Sequence, residues 1–359
     1  METVKEVTSF LQAAKNIPVI DARSEGEYAT GHIPGSVNVP LLDNQQRRII
    51  GTIYKQQGRQ AAVQKGFELI GPLFHQKFKQ LARLASDRQL LIYCQRGGMR
   101  SGILAWMMQL AEYKVFTLRG GYKAYRQWVL QVLQQPFQWI ILGGKTGTGK
   151  TKCLHYLQQA GEQIIDFEGL ACHKGSAFGH IGQPPQPTQE HFENLIAMQL
   201  WQMNPKQKIW AENESRMIGK LKIPDAIFEQ IRKAPILCLQ VEESMRQQRL
   251  LEEYGTLPIN ELAAATKKLE KKLGSLHTQQ ALEALKNGYL SAWLKILLLY
   301  YDKTYQHELA KRPSPCLSVP FDWHNIQESI HQLCFQANQL WNNALPSSAP
   351  VLDVVAKSI

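Results

Sequence analysis

Two segments of the chain hold residues whose types and spacing could do chemistry. In Tyr93-Cys94-Gln95-Arg96-Gly97-Gly98-Met99-Arg100-Ser101 an apolar run ends in a cysteine, two glycines let the backbone curl, and a helical pattern follows. A thiol placed there meets backbone N–H groups and the start of a helix, both of which favour a thiolate nucleophile. Arg96 and Arg100 add positive charge beside it. The second segment, Gly144-Lys145-Thr146-Gly147-Thr148-Gly149-Lys150-Thr151, fits G-x-x-x-x-G-K-[ST] at every position. Backbone N–H groups around Gly144, Gly147 and Gly149 would cradle phosphate oxygens. Lys150 would neutralise terminal phosphate charge, and Thr151 could ligate Mg²⁺.

A nucleotidase usually adds an apolar strand ending in Asp to hold the magnesium. Ile236-Leu237-Cys238-Leu239-Gln240 ends in Gln, so Asp166 and Glu212 are read as substitutes. No motif for guanine or adenine stands out. A nucleotide and a diphosphate that is not a nucleotide therefore both remain open as occupants. The polar cluster Gly169 to Gly179 could line the same site, with His173, Lys174 and Ser176 as anion contacts or proton carriers. Glu214 and Ser215 share that ambiguity with Glu212.

These residues need elements to hold them. Strands are predicted at Pro18 to Asp21, Gln89 to Tyr93 and Val115 to Leu118, with helices from Ser24 to Thr30, Gln60 to Ala85, Met99 to Glu112 and from Gly120-Gly121 through Leu133. Gln134-Gln135-Pro136 reads as a domain boundary. Beyond it a buried strand from Gln138 feeds the glycine loop, and a helix starts near Lys150. Further strands are predicted at Gln163 to Asp166, Lys208 to Ala211 and Ile236 to Val241, and the chain from Glu243 to about Leu299 is helical. Strands alternating with helices predict parallel sheets. The expected organisation is two α/β domains, 1–135 and 136–342, the second with a helical part at about 243–300, and a loose tail at 343–359.

Composition narrows the class. A chain of 359 residues, 44% hydrophobic, can bury two cores. No apolar run reaches membrane-spanning length, and the polar start Met1 to Glu6 lacks a signal-peptide core, which predicts a cytoplasmic protein. The six cysteines are scattered without C-x-x-C spacing, which argues against zinc and against a disulfide framework. Leu41 to Lys152 holds 18 Lys/Arg and 4 Asp/Glu, a net +14, which leaves −3 for the rest of a chain whose total is +11. Positive charge thus gathers in the segment that holds both the cysteine and the glycine loop, as a polyanion partner would require.

The Cys94 segment resembles the active-site loop of the rhodanese family. Asp21-Ala22-Arg23-Ser24, Gly26-Glu27-Tyr28 and Gly31-His32-Ile33-Pro34-Gly35-Ser36 resemble its N-terminal signature. The resemblance implies a chalcogen carried on Cys94. Cys94 to Arg100 is C-x5-R, one residue longer than the common sulfur-transferring loop. A wider cradle of that kind could receive a chalcogen-bearing phosphate such as selenophosphate. A rhodanese-like domain followed by a P-loop NTPase-like domain is similar to the tRNA 2-selenouridine synthase family. Gly51 to Arg59, Asp166 to Ala171, His173 to Gly179, Pro185 to Gln189, Phe192 to Asn194 and Glu212 to Arg216 look like motifs of that family, with departures at Asn213 and Met217.

The family resemblance implies conversion of wobble 2-thiouridine to 2-selenouridine in tRNA. The sulfur is alkylated with geranyl diphosphate, selenophosphate supplies selenium, and geranylthiol leaves. It assigns Cys94, Arg96 and Arg100 to the catalytic loop and the diphosphate to Gly144–Thr151. Arg216 is then read as a partner of the diphosphate or of a tRNA phosphate. Arg47, Arg48, Lys55 and Arg59 are read as tRNA phosphate contacts, and Tyr54 as a stacking platform for an anticodon-loop base. Other readings stay open: a sulfurtransferase with an ATP-binding domain, a C-x5-R phosphatase, and a nucleotide-switched RNA-binding module.

Overall fold

The structure, a computed structural model, describes residues 3–314 and 316–344. It falls into two compact units.

The first unit is Met1–Gln135 together with Pro187–Trp201. Its elements are β1 (Val4–Lys5), α1 (Val7–Ala13), β2 (Val19–Asp21), α2 (Glu25–Thr30), β3 (Val37–Asn38), α3 (Asn44–Ile70), α4 (Phe74–Leu84), β4 (Gln89–Tyr93), α5 (Met99–Leu110), β5 (Lys114–Leu118) and α6 (Gly121–Leu133). The five strands pair in parallel in the order β1-β5-β4-β2-β3. Leu90 to Tyr93 on the central strand are fully buried, so β4 reads as an unbroken apolar run, as a strand covered on both faces must. Ile20, Ile92, Leu104, Met108 and Val115 form the core beside it.

Helix α3 begins at Asn44, well before the expected start at Gln60. Asp43 accepts the Gln46 N–H at 2.7 Å, and the Gln46 side chain accepts the Asp43 N–H at 3.1 Å. This reciprocal cap is a strong start signal. Gly51 and Gly58 obscure it in the sequence, and Gly58 does interrupt the helical backbone, at φ 86°.

The second unit is Pro136–Gln186 with Gln202–Ile359. In chain order it contains β6 (Trp139–Gly144), α7 (Lys150–Gln159), β7 (Gln163–Ile165) and α8 (Phe167–Ala171). After α9 (Gln189–Gln202) come β8 (Ile209–Glu212), β9 (Met217–Ile218), β10 (Leu221–Lys222), α10 (Asp225–Lys233) and β11 (Ile236–Gln240). The helical part is α11 (Glu243–Tyr254), α12 (Ile259–Lys268), α13 (Glu270–Leu273), α14 (Ser275–Lys286) and α15 (Leu290–Ala310), followed by β12 (Cys316–Pro320) and α16 (Ile326–Ala344). A parallel sheet runs β12-β11-β6-β8-β7. Helices α11 to α15 close their own apolar cluster, centred on Trp293, whose indole N–H donates to Thr266 Oγ1 at 3.0 Å.

Four expectations need correction. The segment 187–201, expected in the second domain, packs with the first unit. Arg126 donates to Asn194 Oδ1 at 2.6 Å, Tyr122 Oη to Glu190 at 2.8 Å, and Asn194 Nδ2 to the His32 carbonyl at 2.9 Å. Strand β12 was not foreseen, because it is an exposed edge strand flanked by prolines, where proline is tolerated. Cys238 and Cys316 form a disulfide, because parallel pairing of β11 with β12 brings together residues 78 apart in sequence. Residues 343 and 344, assigned to the tail, complete α16, while 345–359 lie outside the described residues. Among the described residues no helix is long and apolar enough to cross a membrane.

Candidate active sites

Each unit presents chemistry just past the carboxyl end of a central parallel strand, where open α/β sheets hold their ligands. In the first unit that strand is β4. Cys94 follows it and is 3% exposed. Its sulfur accepts the Gly98 N–H at 3.4 Å and the Ser101 hydroxyl at 3.2 Å. Burial pushes the thiol pKa up. Hydrogen bonds from the Ser101 hydroxyl and from the Ser101, Arg96 and Gly98 backbone outweigh it, and the net value lies below that of an ordinary cysteine. The loop can turn this tightly because Gly97 sits at φ 61°, and a Cβ there would collide with the Leu118 carbonyl. Backbone bonds from Tyr122 N–H to the Cys94 carbonyl (2.8 Å) and from Lys123 N–H to the Gln95 carbonyl (3.0 Å) strap it to the start of α6.

The two loop arginines differ. Arg96 is exposed. Arg100, expected to add charge beside the sulfur, instead donates to both oxygens of Glu27, at 2.6 and 3.2 Å. Glu27 also pairs with Arg47 at 2.9 Å and accepts the Ser24 N–H at 3.1 Å. Burial raises the Glu27 pKa, but Arg100, Ser24 and Arg47 together hold it below the usual carboxylate range. Asp21 pairs with the buried Arg23, which reaches Gln95 at 3.3 Å. Tyr54, Arg48, Lys55 and Arg59 lie along α3, all exposed but Tyr54 the most conspicuous, with 59% of its surface open.

In the second unit the strand is β6. Gly149, at φ 81°, opens α7, and Lys150 Nζ donates to the Gly144 carbonyl at 3.0 Å. Side chains from α11, α15 and the segment after β12 hold the loop. The Gly144 N–H donates to Tyr305 Oη at 2.6 Å. Arg246 donates to the Thr146 carbonyl at 3.0 Å and grips Asp302 at 2.6 and 3.1 Å. The Trp323 indole donates to the Thr148 carbonyl at 3.0 Å.

Glu212 ends β8, in register with Leu142 on β6, and is 4% exposed. Its carboxylate converges with those of Glu168 and Glu214, with one oxygen of each within 4.8 Å of the others. Glu212 Oε1 has no hydrogen-bond partner. Burial raises the Glu212 pKa, against the pull of Lys150 and Thr151. Glu168 and Glu214 are raised by burial first and by the neighbouring carboxylates next. Oxygen donors with surplus negative charge fit a hard divalent cation.

The other expected site residues are placed as follows. Asp166 caps α8 by accepting the Gly169 N–H at 2.8 Å and pairs with His155 at 3.3 Å, so it does not share the convergence of Glu212. Lys174 pairs with Glu253, and Arg216 with Asp225. Ser176 Oγ accepts the Phe178 N–H at 3.2 Å within its own turn. His173 is 8% exposed with Nδ1 unpartnered, and burial, with His180 nearby, lowers its pKa. Asn213 accepts from Arg312. Sequence reasoning passed over Glu27, Ser101 and Glu168 although all three lie inside quoted motifs. Arg246, Asp302, Tyr305 and Trp323 carried no signal, being far from the loop in sequence.

The sequence model for the rhodanese-like domain matches residues 3–127, and that for the tRNA 2-selenouridine synthase AAA domain matches residues 137–334. A tRNA 2-selenouridine synthase of Sulfurovum sp. is 31% identical, covering 88% of this chain and 96% of its own length. That of Shewanella oneidensis is 33% identical, covering 82% and 87%. That of Nitrosomonas europaea is 30% identical, covering 83% and 91%. Similarity that runs through both sheets and along most of each relative makes this chain a member of the tRNA 2-selenouridine synthase family.

Proposed function

We propose that the chain is a tRNA-modifying transferase that converts wobble 2-thiouridine into 2-selenouridine, with geranyl diphosphate and selenophosphate as co-substrates. The observation that carries this reading is one chain holding both a buried Cys94 whose sulfur accepts hydrogen bonds from Gly98 and Ser101 and a complete phosphate loop at Gly144–Thr151, in a family whose relatives bear that name.

In the first step the C2 sulfur attacks C1 of the geranyl group. The C–O bond breaks, diphosphate leaves with the electron pair, and the uracil N3 proton goes to solvent. Charge builds on the leaving diphosphate, where the loop N–H groups and Lys150 are suited to stabilise it. Thr151 and Glu212, with Glu168 and Glu214 beside them, would hold Mg²⁺, and the orphaned Glu212 Oε1 supports that fit. Bound there, the ion would add positive charge for the diphosphate.

In the second step selenium from selenophosphate takes C2, geranylthiol leaves with the bonding pair and a proton, and water takes the phosphoryl group. Alkylation matters because a thiolate-like sulfur on C2 leaves poorly. Cys94 and the loop N–H groups would receive the donor. The phosphatase alternative is weakened by the Arg100–Glu27 pair, which occupies the arginine that such chemistry needs for its phosphate.

The test is mass spectrometry of nucleosides from bulk tRNA of cells with and without the gene. Loss of 2-selenouridine with retention of 2-thiouridine is expected. An unchanged nucleoside profile would refute the proposal.

A further inference from the structure

Helix α11 lies against the phosphate loop and brings two arginines to it. They are in different electrostatic situations. Arg246 is 4% exposed and neutralised by Asp302, which also lies 3.5 Å from Lys145. Arg249 is half-buried and has no hydrogen bond or ion pair among the described residues. Its guanidinium lies 3.9 Å from the centre of the Trp323 ring. The same ring has Lys152 Nζ at 5.5 Å. A Cβ on Gly149 would collide with both Arg249 Nη2 and Trp323 Cζ2, so the guanidinium reaches the backbone immediately before Lys150.

A half-buried guanidinium with no hydrogen-bonded partner is costly, and here it sits against the positive end of α7, with Glu252 and Glu253 of its own helix acting on it only through space. Burial lowers its pKa. Stacking on an indole fixes the plane of the guanidinium while leaving its N–H edge free. Such an arrangement is relieved when an anion arrives.

We infer that Arg249 is a binding residue of the Gly144–Thr151 cradle, whose guanidinium takes a phosphate oxygen of the bound diphosphate, with Trp323 as the platform that aims it. This inference rests on the reading of the loop as a diphosphate site. It adds a residue that the G-x-x-x-x-G-K-[ST] pattern does not contain.

The experiment is calorimetric titration of the full chain with inorganic pyrophosphate, for wild type, Arg249→Gln, Arg249→Lys and Lys150→Ala, with melting temperatures in its absence. Arg249→Gln is expected to bind about tenfold more weakly or worse. Arg249→Lys, which keeps the charge and loses the flat fork, should fall between. Without pyrophosphate, Arg249→Gln should melt no lower than wild type, because it removes an unpaired charge. Equal affinity in wild type and both Arg249 variants, with binding lost in Lys150→Ala, would overturn the inference and leave the loop reading standing. No binding to the wild-type chain would overturn both. A lower melting temperature with undiminished affinity would assign Arg249 to packing and overturn the inference as well.

Discussion

The Arg100 guanidinium donates to both oxygens of Glu27, at 2.6 and 3.2 Å, and so ties the first turn of α5 to α2. Both side chains are mostly shielded, at 21% and 13% exposed, so the pair is worth more than a surface bridge. Glu27→Gln removes the negative end and should cost about 2 kcal/mol, read as a lower denaturation midpoint at pH 7. The sign of its pH dependence follows from a carboxyl held below its usual range. Its contribution is complete above the unfolded-state value and is lost as pH falls through the folded one. The wild type should therefore lose more stability than Glu27→Gln between about pH 5 and pH 3, measured by urea unfolding at each pH. Parallel acid limbs would contradict this role.

Ser101 should control the nucleophile. Its hydroxyl donates to Cys94 Sγ at 3.2 Å, and this bond heads the forces that hold the thiol pKa down against burial. Ser101→Ala should raise that pKa, because the thiolate loses a hydrogen bond that the thiol does not need. The measurement is the rate of iodoacetamide alkylation of the Cys94 peptide against pH, resolved by mass spectrometry from the other free cysteines, Cys153, Cys172 and Cys334. An unshifted profile would mean that the backbone N–H groups alone set the thiolate.

The two loops should fail in different ways. Lys150→Ala is expected to abolish S-geranylation of 2-thiouridine tRNA. Cys94→Ala should leave geranylation near the wild-type rate and stop selenium incorporation, so that geranylated tRNA accumulates. Single-turnover assays with geranyl diphosphate and then selenophosphate, read by nucleoside mass spectrometry, separate the steps. If Lys150→Ala kept geranylation and lost only selenation, the assignment of the diphosphate to Gly144–Thr151 would be wrong.

What could be read in advance was local. The Cys94 loop and Gly144–Thr151 are contiguous segments, and the strands that feed them, β4 and β6, are apolar runs that lead into glycine-containing loops. Their backbone function depends on residues within one turn, so the pattern contains it. The groups that tune them come from elsewhere in the chain. Arg100 meets Glu27 across 73 residues, and Gly144 meets Tyr305 across 161. Asp166 and Glu212 both follow apolar strand patterns and read alike as acids, yet capping α8 turns the Asp166 carboxylate to the Gly169 N–H, and Glu168, two residues on, joins Glu212. Arg216 meets Asp225 only because a β-hairpin, β9 and β10, folds back between them. A periodic pattern reports which face of an element is buried and carries no information on which distant side chain arrives there.

The carboxylates Glu168, Glu212 and Glu214 make a prediction with two independent signs. All three are held above the ordinary carboxylate range, chiefly by burial. A carboxyl raised in the folded state costs stability once pH exceeds its unfolded value, and the cost grows until the folded form ionises. The metal-free protein should thus melt at progressively lower temperature from about pH 5 to pH 8. A divalent cation competes with the protons, so Mg²⁺ should restore the melting temperature, and by more at pH 8 than at pH 6. Mn²⁺ is a usable probe, and its affinity, followed by electron paramagnetic resonance, should rise with pH over the same interval. Glu212→Gln removes the carboxylate with the orphaned oxygen. It should flatten the pH slope of the metal-free protein and weaken Mn²⁺ about tenfold or more. If the slope and the Mn²⁺ affinity both matched wild type, the three carboxylates would be sharing protons and not holding an ion, and the diphosphate would depend on Lys150 and the loop backbone for its charge compensation.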